Sequence, residues 1–301
     1  MPTSQVIQLI SKQDKSVNFV LQSGQECRYV RRTDDYFIVY LSSHNGCNMS
    51  CRFCHLTQTK QTDFKEATTT QILDQARRVI KHYVNMVALE LQKPVKTVHF
   101  NWMARGEPLA SSVLKMNWDT ISKSLKDMAN AAGVEVVKFK ISTIIPTGHG
   151  FDKATTNPLV WFFNTELKPV FYYSLYSTSK DFRKKWLPKA IDPEMALYVL
   201  KQWQLASKAS VVLHWAFIKD QNDSKQEVES ILELVKKSGI QAKFNLVRYN
   251  PFDEENSQES ELDVVNVNFR TISQQMLSEG SRIVPRVGFD IAASCGMFIK
   301  I

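Results

Sequence analysis

Six short runs, at 36–41, 95–102, 136–143, 170–175, 211–218 and 243–248, are dense in Val, Ile, Phe and Tyr, the composition of β-strands. Between them lie stretches of helical period. Ile72, Ala76, Val79, Ile80, Tyr83 and Val87 fall on one helical face. Asp192-Pro193 reads as an N-cap followed by proline at the first helical position. Ser224-Lys225-Gln226-Glu227 reads as a capping box, and Gly239 as the stop of that helix. Nearly continuous apolar strands alternating with helices predict a parallel sheet covered by helices, an α/β fold. Six such units, from about residue 36 to 280, are enough for a curved partial (β/α)6 barrel. Residues 1–33 differ. Val6 to Ile10 and Val17 to Leu21 flank Lys12-Gln13-Asp14-Lys15 and predict a β-hairpin extension. The expected division is therefore an N-terminal β extension (1–33) and a barrel (34–301). Folds of this kind place their sites where the chain leaves the strands.

The chain has 301 residues, 44% hydrophobic and 23% charged, which excludes a disordered or fibrous protein. No run approaches the roughly 20 uncharged apolar residues needed to cross a bilayer. Met1-Pro2-Thr3-Ser4-Gln5 lacks the basic-then-apolar pattern of a secretory leader. The expectation is a cytoplasmic protein with no membrane partner, whose five cysteines are metal ligands or reactive groups rather than disulfides. There are 38 basic and 30 acidic residues, a net of +8. Six acids (Asp253, Glu254, Glu255, Glu259, Glu261, Asp263) share one segment without Lys or Arg, so the remainder carries +14. Such an excess fits either a polyanionic partner, nucleic acid first, or a solvated basic surface.

Directly after the first barrel strand comes Gly46-Cys47-Asn48-Met49-Ser50-Cys51-Arg52-Phe53-Cys54-His55. Thiolates at Cys47, Cys51 and Cys54, spaced C-x3-C-x2-C, can bind three corners of a [4Fe–4S] cube and leave its fourth iron open. An open iron can chelate S-adenosylmethionine, and one-electron reduction then releases a 5′-deoxyadenosyl radical. Phe53 suits a loop wrapped around an apolar cluster and an adenine. The competing reading is a zinc site completed by Cys295, His44 or His55, for which a compact triplet is poor tetrahedral geometry.

From this point the chain resembles a known family, the RlmN/Cfr group of radical-SAM enzymes, which methylate adenine carbons in 23S ribosomal RNA and, for some members, tRNA. The matching pieces occur in family order. They are Leu41-Ser42-Ser43-His44-Asn45-Gly46-Cys47, Gly106-Glu107-Pro108-Leu109, the strand ends Ser142-Thr143 and Ser174-Leu175, and Phe182-Arg183-Lys184-Lys185-Trp186-Leu187-Pro188. Lys219-Asp220-Gln221-Asn222-Asp223, Tyr249-Asn250-Pro251-Phe252 and Asp290-Ile291-Ala292-Ala293-Ser294-Cys295-Gly296 complete the set. At these positions Gly106 and Glu107 can meet the methionine amino group. Ser142, Ser174 and Asn250 offer hydrogen bonds to ribose, carboxylate and adenine, although Ser142 and Ser174 also suit simple strand-end capping. The resemblance implies that Cys295 is methylated by one S-adenosylmethionine. The radical from a second then abstracts hydrogen from that methyl group, and the carbon radical adds to adenine. It also implies structured RNA as substrate and a reductase such as flavodoxin or ferredoxin as electron source.

Four departures stand out. The family's resolving cysteine, seven residues before the first cluster cysteine, is Tyr40 here, and Cys27 is the one spare thiol that could have taken its place. The family's N-terminal helical region is missing before the cluster loop. The basic tail is cut to Gly296-Met297-Phe298-Ile299-Lys300-Ile301. Ala104-Arg105 stands for Gly-Met before the Gly-Glu-Pro turn, and Tyr176 for a histidine. Arg28, Arg31, Arg32, Arg183, Lys184, Lys185 and Lys189 are candidates for phosphate contacts, or simply solvated. The leading expectation is a radical-SAM methyltransferase acting on adenine in RNA. Two alternatives are the same chemistry on another nucleic acid, peptide or small molecule, and a non-catalytic iron–sulfur or zinc protein that binds RNA.

Overall fold

The computed structural model describes residues 6–150, 158–162, 165–276 and 280–301; the leader reading at residues 1–5 lies outside them. Ten strands form one sheet in chain order. The first three, β1 (Val6–Ile10), β2 (Val17–Leu21) and β3 (Glu26–Val30), pair antiparallel, and β3 continues antiparallel onto β4 (Tyr36–Tyr40). From β4 onward the pairing is parallel through β5 (Thr97–Trp102), β6 (Val136–Thr143), β7 (Val170–Tyr173), β8 (Val211–Trp215), β9 (Ala242–Leu246) and the two-residue β10 (Arg282–Ile283). All six expected barrel strands are present. The N-terminal part is a three-stranded meander joined to the barrel sheet, rather than the expected hairpin. Glu26 and Arg28 hid β3, because two charges in five residues obscure a strand pattern.

The three helices read from the sequence are present, with four more among the described residues. A single turn, α1 (His55–Gln58), follows the cysteine loop. In α2 (Thr69–Ala88), Thr68 and Gln71 form a reciprocal capping box, and Ile72, Ala76, Val79, Ile80 and Tyr83 are buried. Next come α3 (Ser112–Ala131) and α4 (Lys180–Trp186). Asp192 caps α5 (Pro193–Ser207) through the amides of Glu194 and Met195. The helix α6 (Lys225–Ser238) ends on Gly239 at φ 64°. Its capping box is only half formed. Ser224 accepts from the Glu227 amide, but the Glu227 carboxylate instead accepts from Ser177 and Thr178, at 2.7 Å each. The last helix is α7 (Leu262–Met276).

Strand alternation divides the side chains into two environments. Phe37 and Val39, Val98 and Phe100, Phe139 and Ile141, Phe171 and Tyr173, and Leu213 and Phe244 join the apolar core under the helices. The intervening residues surround one cavity. Ile38, Tyr40, Asn101, Lys140, Tyr172 and Asn245, from five different strands, all face it. A flat sheet could not bring β4, β6 and β9 to one cavity, so the sheet curls into a partial barrel with a polar lumen. Among the described residues no helix is long and apolar enough to cross a membrane.

Candidate active site

The cysteine loop leaves β4 through a tightly determined turn. Ser42 Oγ accepts from the amides of Glu26 and Arg105, each at 3.1 Å. The His44 ring stacks on Phe64 with centroids 3.8 Å apart. A Cβ on Gly46 would lie 2.3 Å from the Asp63 carbonyl oxygen, so only glycine lets the loop run against 61–63. Gly106 has φ 98°, and a Cβ there would meet the His44 ring at 2.5 Å.

Cys47, Cys51 and Cys54 line one cavity of about 120 Å³ together with Gly106, Glu107, Ser142 and Ser174. Trp102, Leu56 and Phe298 supply apolar walls. All but one of the expected cluster and cofactor residues therefore meet in a single chamber, drawn from four successive strand ends. Burial pushes the Cys54 thiol up to about 11 and raises Cys47 and Cys51 as well, so these groups ionise only against a bound positive charge. Among the described residues no three His, Cys, Asp or Glu side chains converge as ligands of a single metal ion. Three thiols spread around a walled chamber match what a polynuclear cluster held at three corners requires. Burial raises the Glu107 carboxyl to about 7, against the pull of Thr143 and the amides of Leu109 and Ile144. Those amides donate at 3.1 and 3.2 Å and fix the carboxylate's direction. Phe53 does not stand free over the chamber, because it stacks on Tyr176 with centroids 4.2 Å apart.

Cys295 faces a second chamber, also of about 120 Å³, which is the barrel lumen. Met103 and Ser142 line both chambers and form the wall between them. Tyr40 lines the second chamber with Cys295. Cys295 is exposed as a residue, yet its thiol is pushed up to about 11 by burial, with Arg28 and Arg32 pulling the other way. Asn250, expected at the cofactor, turns its amide elsewhere. Its Nδ2 donates to the Cys295 carbonyl at 2.8 Å and to Ser294 Oγ at 3.2 Å, and its buried Oδ1 has no partner among the described residues. The His55 amide donates to the Gly296 carbonyl at 2.9 Å, tying the cluster loop to the residue after Cys295.

One part of the site was invisible in the sequence. Glu26, fully buried, accepts from Arg28 at 2.9 Å, from two nitrogens of Arg105 at 3.0 and 2.6 Å, and from the Ile299 amide at 3.0 Å. Arg28 and Arg105 in turn donate to the carbonyls of Met297 and Ile299, at 2.6 and 2.5 Å. Burial alone would raise the Glu26 pKa, but the two guanidinium groups hold it below 4.5. The network clamps the segment that carries Cys295. Its one sequence trace was Arg105, standing where the family has a methionine. Asp290 anchors the same segment from the other side, accepting from Ser11 Oγ at 2.7 Å and the Lys12 amide at 2.8 Å.

Several expected phosphate contacts prove to be internal. Arg31 donates to the Lys93 carbonyl, and Arg183 to the carbonyls of Leu175, Ser177 and Ile191. Cys27 lies on the helix-facing side of β3 in the apolar core, while its neighbour Arg28 lines the Cys295 chamber. Successive strand residues point to opposite faces. Cys27 is therefore not a relocated partner for Cys295.

No family model matches the chain. It is 27% identical over 265 residues to the dual-specificity RNA methyltransferase RlmN of a Sulfurovum species, which covers 86% of this chain and 66% of that protein. The probable RlmN of Flavobacterium psychrophilum is 24% identical, over 85% of this chain and 67% of its own. The chain is similar to the RlmN/Cfr-type radical-SAM family over most of its length. It spans about two thirds of the length of these RlmN relatives. A radical SAM methyltransferase from Sphaerobacter thermophilus shares the fold, with a TM-score of 0.71 over 99% of this chain and 82% of its own, at 16% identity. That similarity implies a [4Fe–4S] cluster and S-adenosylmethionine, and the three-thiol chamber with Glu107 fits both.

Proposed function

We propose that the chain is a radical-SAM methyltransferase that methylates an adenine carbon in structured RNA, ribosomal or transfer, with Cys295 as methyl carrier. The observation that carries this reading is that Cys295 faces a chamber sharing the wall residues Met103 and Ser142 with the three-cysteine chamber. The two RlmN relatives, named as RNA methyltransferases, support the substrate class. On this reading the enzyme works in the cytoplasm with a flavodoxin- or ferredoxin-type reductase.

Bound in the first chamber, the cluster and S-adenosylmethionine would supply an electron, a methyl group and a 5′-deoxyadenosyl radical. Cys47, Cys51 and Cys54 would hold the cluster. Glu107, with one oxygen directed by Leu109 and the other by Ile144, would accept from the methionine ammonium, beside the hydroxyls of Ser142 and Ser174. Arg28 and Arg32 favour the Cys295 thiolate that methyl transfer needs. Asn250 holds the Cys295 backbone, so the sulfur keeps its station at the lumen. Apolar walls at Leu56, Trp102 and Phe298 exclude water from the radical.

Nucleoside mass spectrometry of RNA from cells with and without the gene tests the activity. A methyladenosine should appear with the wild-type gene and vanish with Cys295→Ala. Peptide mass spectrometry of the active protein should find one added methyl group on Cys295, and an unmodified Cys295 would rule out the carrier role.

Tyr40 makes a separate prediction. With a phenol where the family has a thiol, a protein–RNA thioether adduct should accumulate under anaerobic reducing conditions. Tyr40→Cys should shorten its life, because that side chain shares the chamber with Cys295. Cys27→Ala should leave the adduct unchanged, since Cys27 is on the other face of the sheet. Denaturing gels with labelled RNA give the readout. Rapid turnover without any adduct in the wild-type protein would show that resolution needs no second cysteine.

A further inference from the structure

The lumen carries more positive charge than the methyl transfer uses. Arg32, Lys140 and Arg282 line the Cys295 chamber, and among the described residues no Asp or Glu does. Strand register places Lys140 and Arg282 at the ends of two rows, and Arg32 follows β3. Tyr40 pairs with Asn101 and Asn101 with Lys140; on the opposite wall His214 pairs with Asn245 and Asn245 with Arg282.

The neighbouring cations have acids. Arg28 is paired with Glu26, and Arg248 and Arg286 share Glu259 at the rim. Arg32, Lys140 and Arg282 have no ion pair among the described residues. Lys140 Nζ instead meets Nδ1 of His99 at 3.0 Å and lies 5.5 Å from the Tyr172 ring centroid. Arg32 donates to the Tyr40 hydroxyl at 3.3 Å, and its buried Nε is unpartnered, as is Oδ1 of Asn101.

Arg32 and Lys140 are half-buried and Arg282 is exposed at the mouth. Gathering like charges around one partly desolvated lumen without a counter-charge costs free energy, so a fold that retains them leaves room for an anion. The strain is visible. Burial, followed by Arg282, Arg32 and Lys138, pushes Lys140 down to about 7, and burial holds His99 and His214 neutral. Guanidinium forks with an ammonium are the groups that recognise phosphate oxygens. A space of about 120 Å³, against the roughly 10–15 Å³ that one water requires, admits a phosphate with some of its waters.

We propose that the barrel lumen is a phosphate-binding site, in which Arg32, Lys140 and Arg282 hold a phosphate of the nucleotide whose base is presented to Cys295. The assignment of the ester to a nucleotide rests on the RNA methyltransferase reading; the anion site itself does not.

The test is calorimetric titration of the full chain, in low-chloride buffer, with inorganic phosphate, adenosine 5′-monophosphate and adenosine. Phosphate and the monophosphate should bind, and adenosine should bind at least about tenfold more weakly. Lys140→Met and Arg282→Gln should each weaken phosphate binding about tenfold or more, whereas exposed Lys225→Gln should not change it. Equal phosphate affinity in the wild type and both lumen variants, or no binding at all, would overturn the proposal. A short RNA tested with and without its 5′-phosphate separates a terminal ester, lost on dephosphorylation, from an internal diester, retained; both keep the site. Because no methylation is measured, phosphate binding by a chain that modifies no RNA would sink the methyltransferase reading alone.

Thermal stability gives the second readout. The folded Lys140 binds its proton less tightly than the unfolded one, so wild-type stability rises with pH between about 7 and 10.5. Lys140→Met removes the half-buried charge and should therefore raise the melting temperature at pH 7, by a margin that shrinks as the pH approaches 10. A lower melting temperature at pH 7 would make Lys140 a structural strut and overturn its assignment to an anion site.

Discussion

Alanine at any one of Cys47, Cys51 or Cys54 should abolish iron binding and all 5′-deoxyadenosine formation, whereas Cys295→Ala and Cys27→Ala should keep their iron. The three loop thiols share one chamber, Cys295 faces the next, and Cys27 lies in the core. A cluster held at three corners has no redundancy among its ligands, and each buried thiol ionises only with the metal's help. Iron analysis and visible absorbance after anaerobic reconstitution are the measurements. Loss of iron in Cys295→Ala would make Cys295 a fourth ligand and revive the zinc or four-cysteine alternative.

Glu26→Ala should destabilise the fold by about 3–5 kcal/mol, because it leaves the buried guanidinium groups of Arg28 and Arg105 without a counter-charge. Denaturant titration measures the loss. Hydrogen exchange should locate it, with the amides of Ile299 and His55 losing protection, since both bonds belong to the clamped segment. The Glu26 pKa is held below 4.5, so the network's contribution is present above that pH and lost as the pH falls through the lower folded-state value. A change below about 1 kcal/mol, the ordinary scale for exposed pairs, would mean that the network does not anchor the carrier.

The barrel strands were legible because runs dense in Val, Ile, Phe and Tyr recur between helical patterns, even though alternate residues such as Lys140 and Asn245 face the lumen. The helix at 225–238 was legible from its cap and from Gly239. The strand at 26–30 was not, because its charges find partners only in distant parts of the chain: Arg105 and the Ile299 amide lie 79 and 273 residues from Glu26. A single sequence shows charge but not pairing. The same limit applies to Asn250, whose expected role toward the cofactor rested on its strand-end position, while its amide is taken by the Cys295 backbone. It applies also to the basic residues. Arg31 and Arg183 looked like surface cations and hold backbone carbonyls instead. Lys140 and Arg282 carried no motif, and only the register of the strands brings them to one lumen.

The bond between Glu26 and Ile299 joins residues 273 positions apart in the chain. Closing so long a loop is entropically unfavourable until the intervening sheet has formed, and during synthesis the first strands emerge long before the last residues. The clamp is thus a late event in folding. Until it closes, Arg105 and Glu26 stand at an open seam beside the cysteine loop, and the segment bearing Cys295 is a loose end. The reactive sulfur reaches its station only on a barrel that is already built.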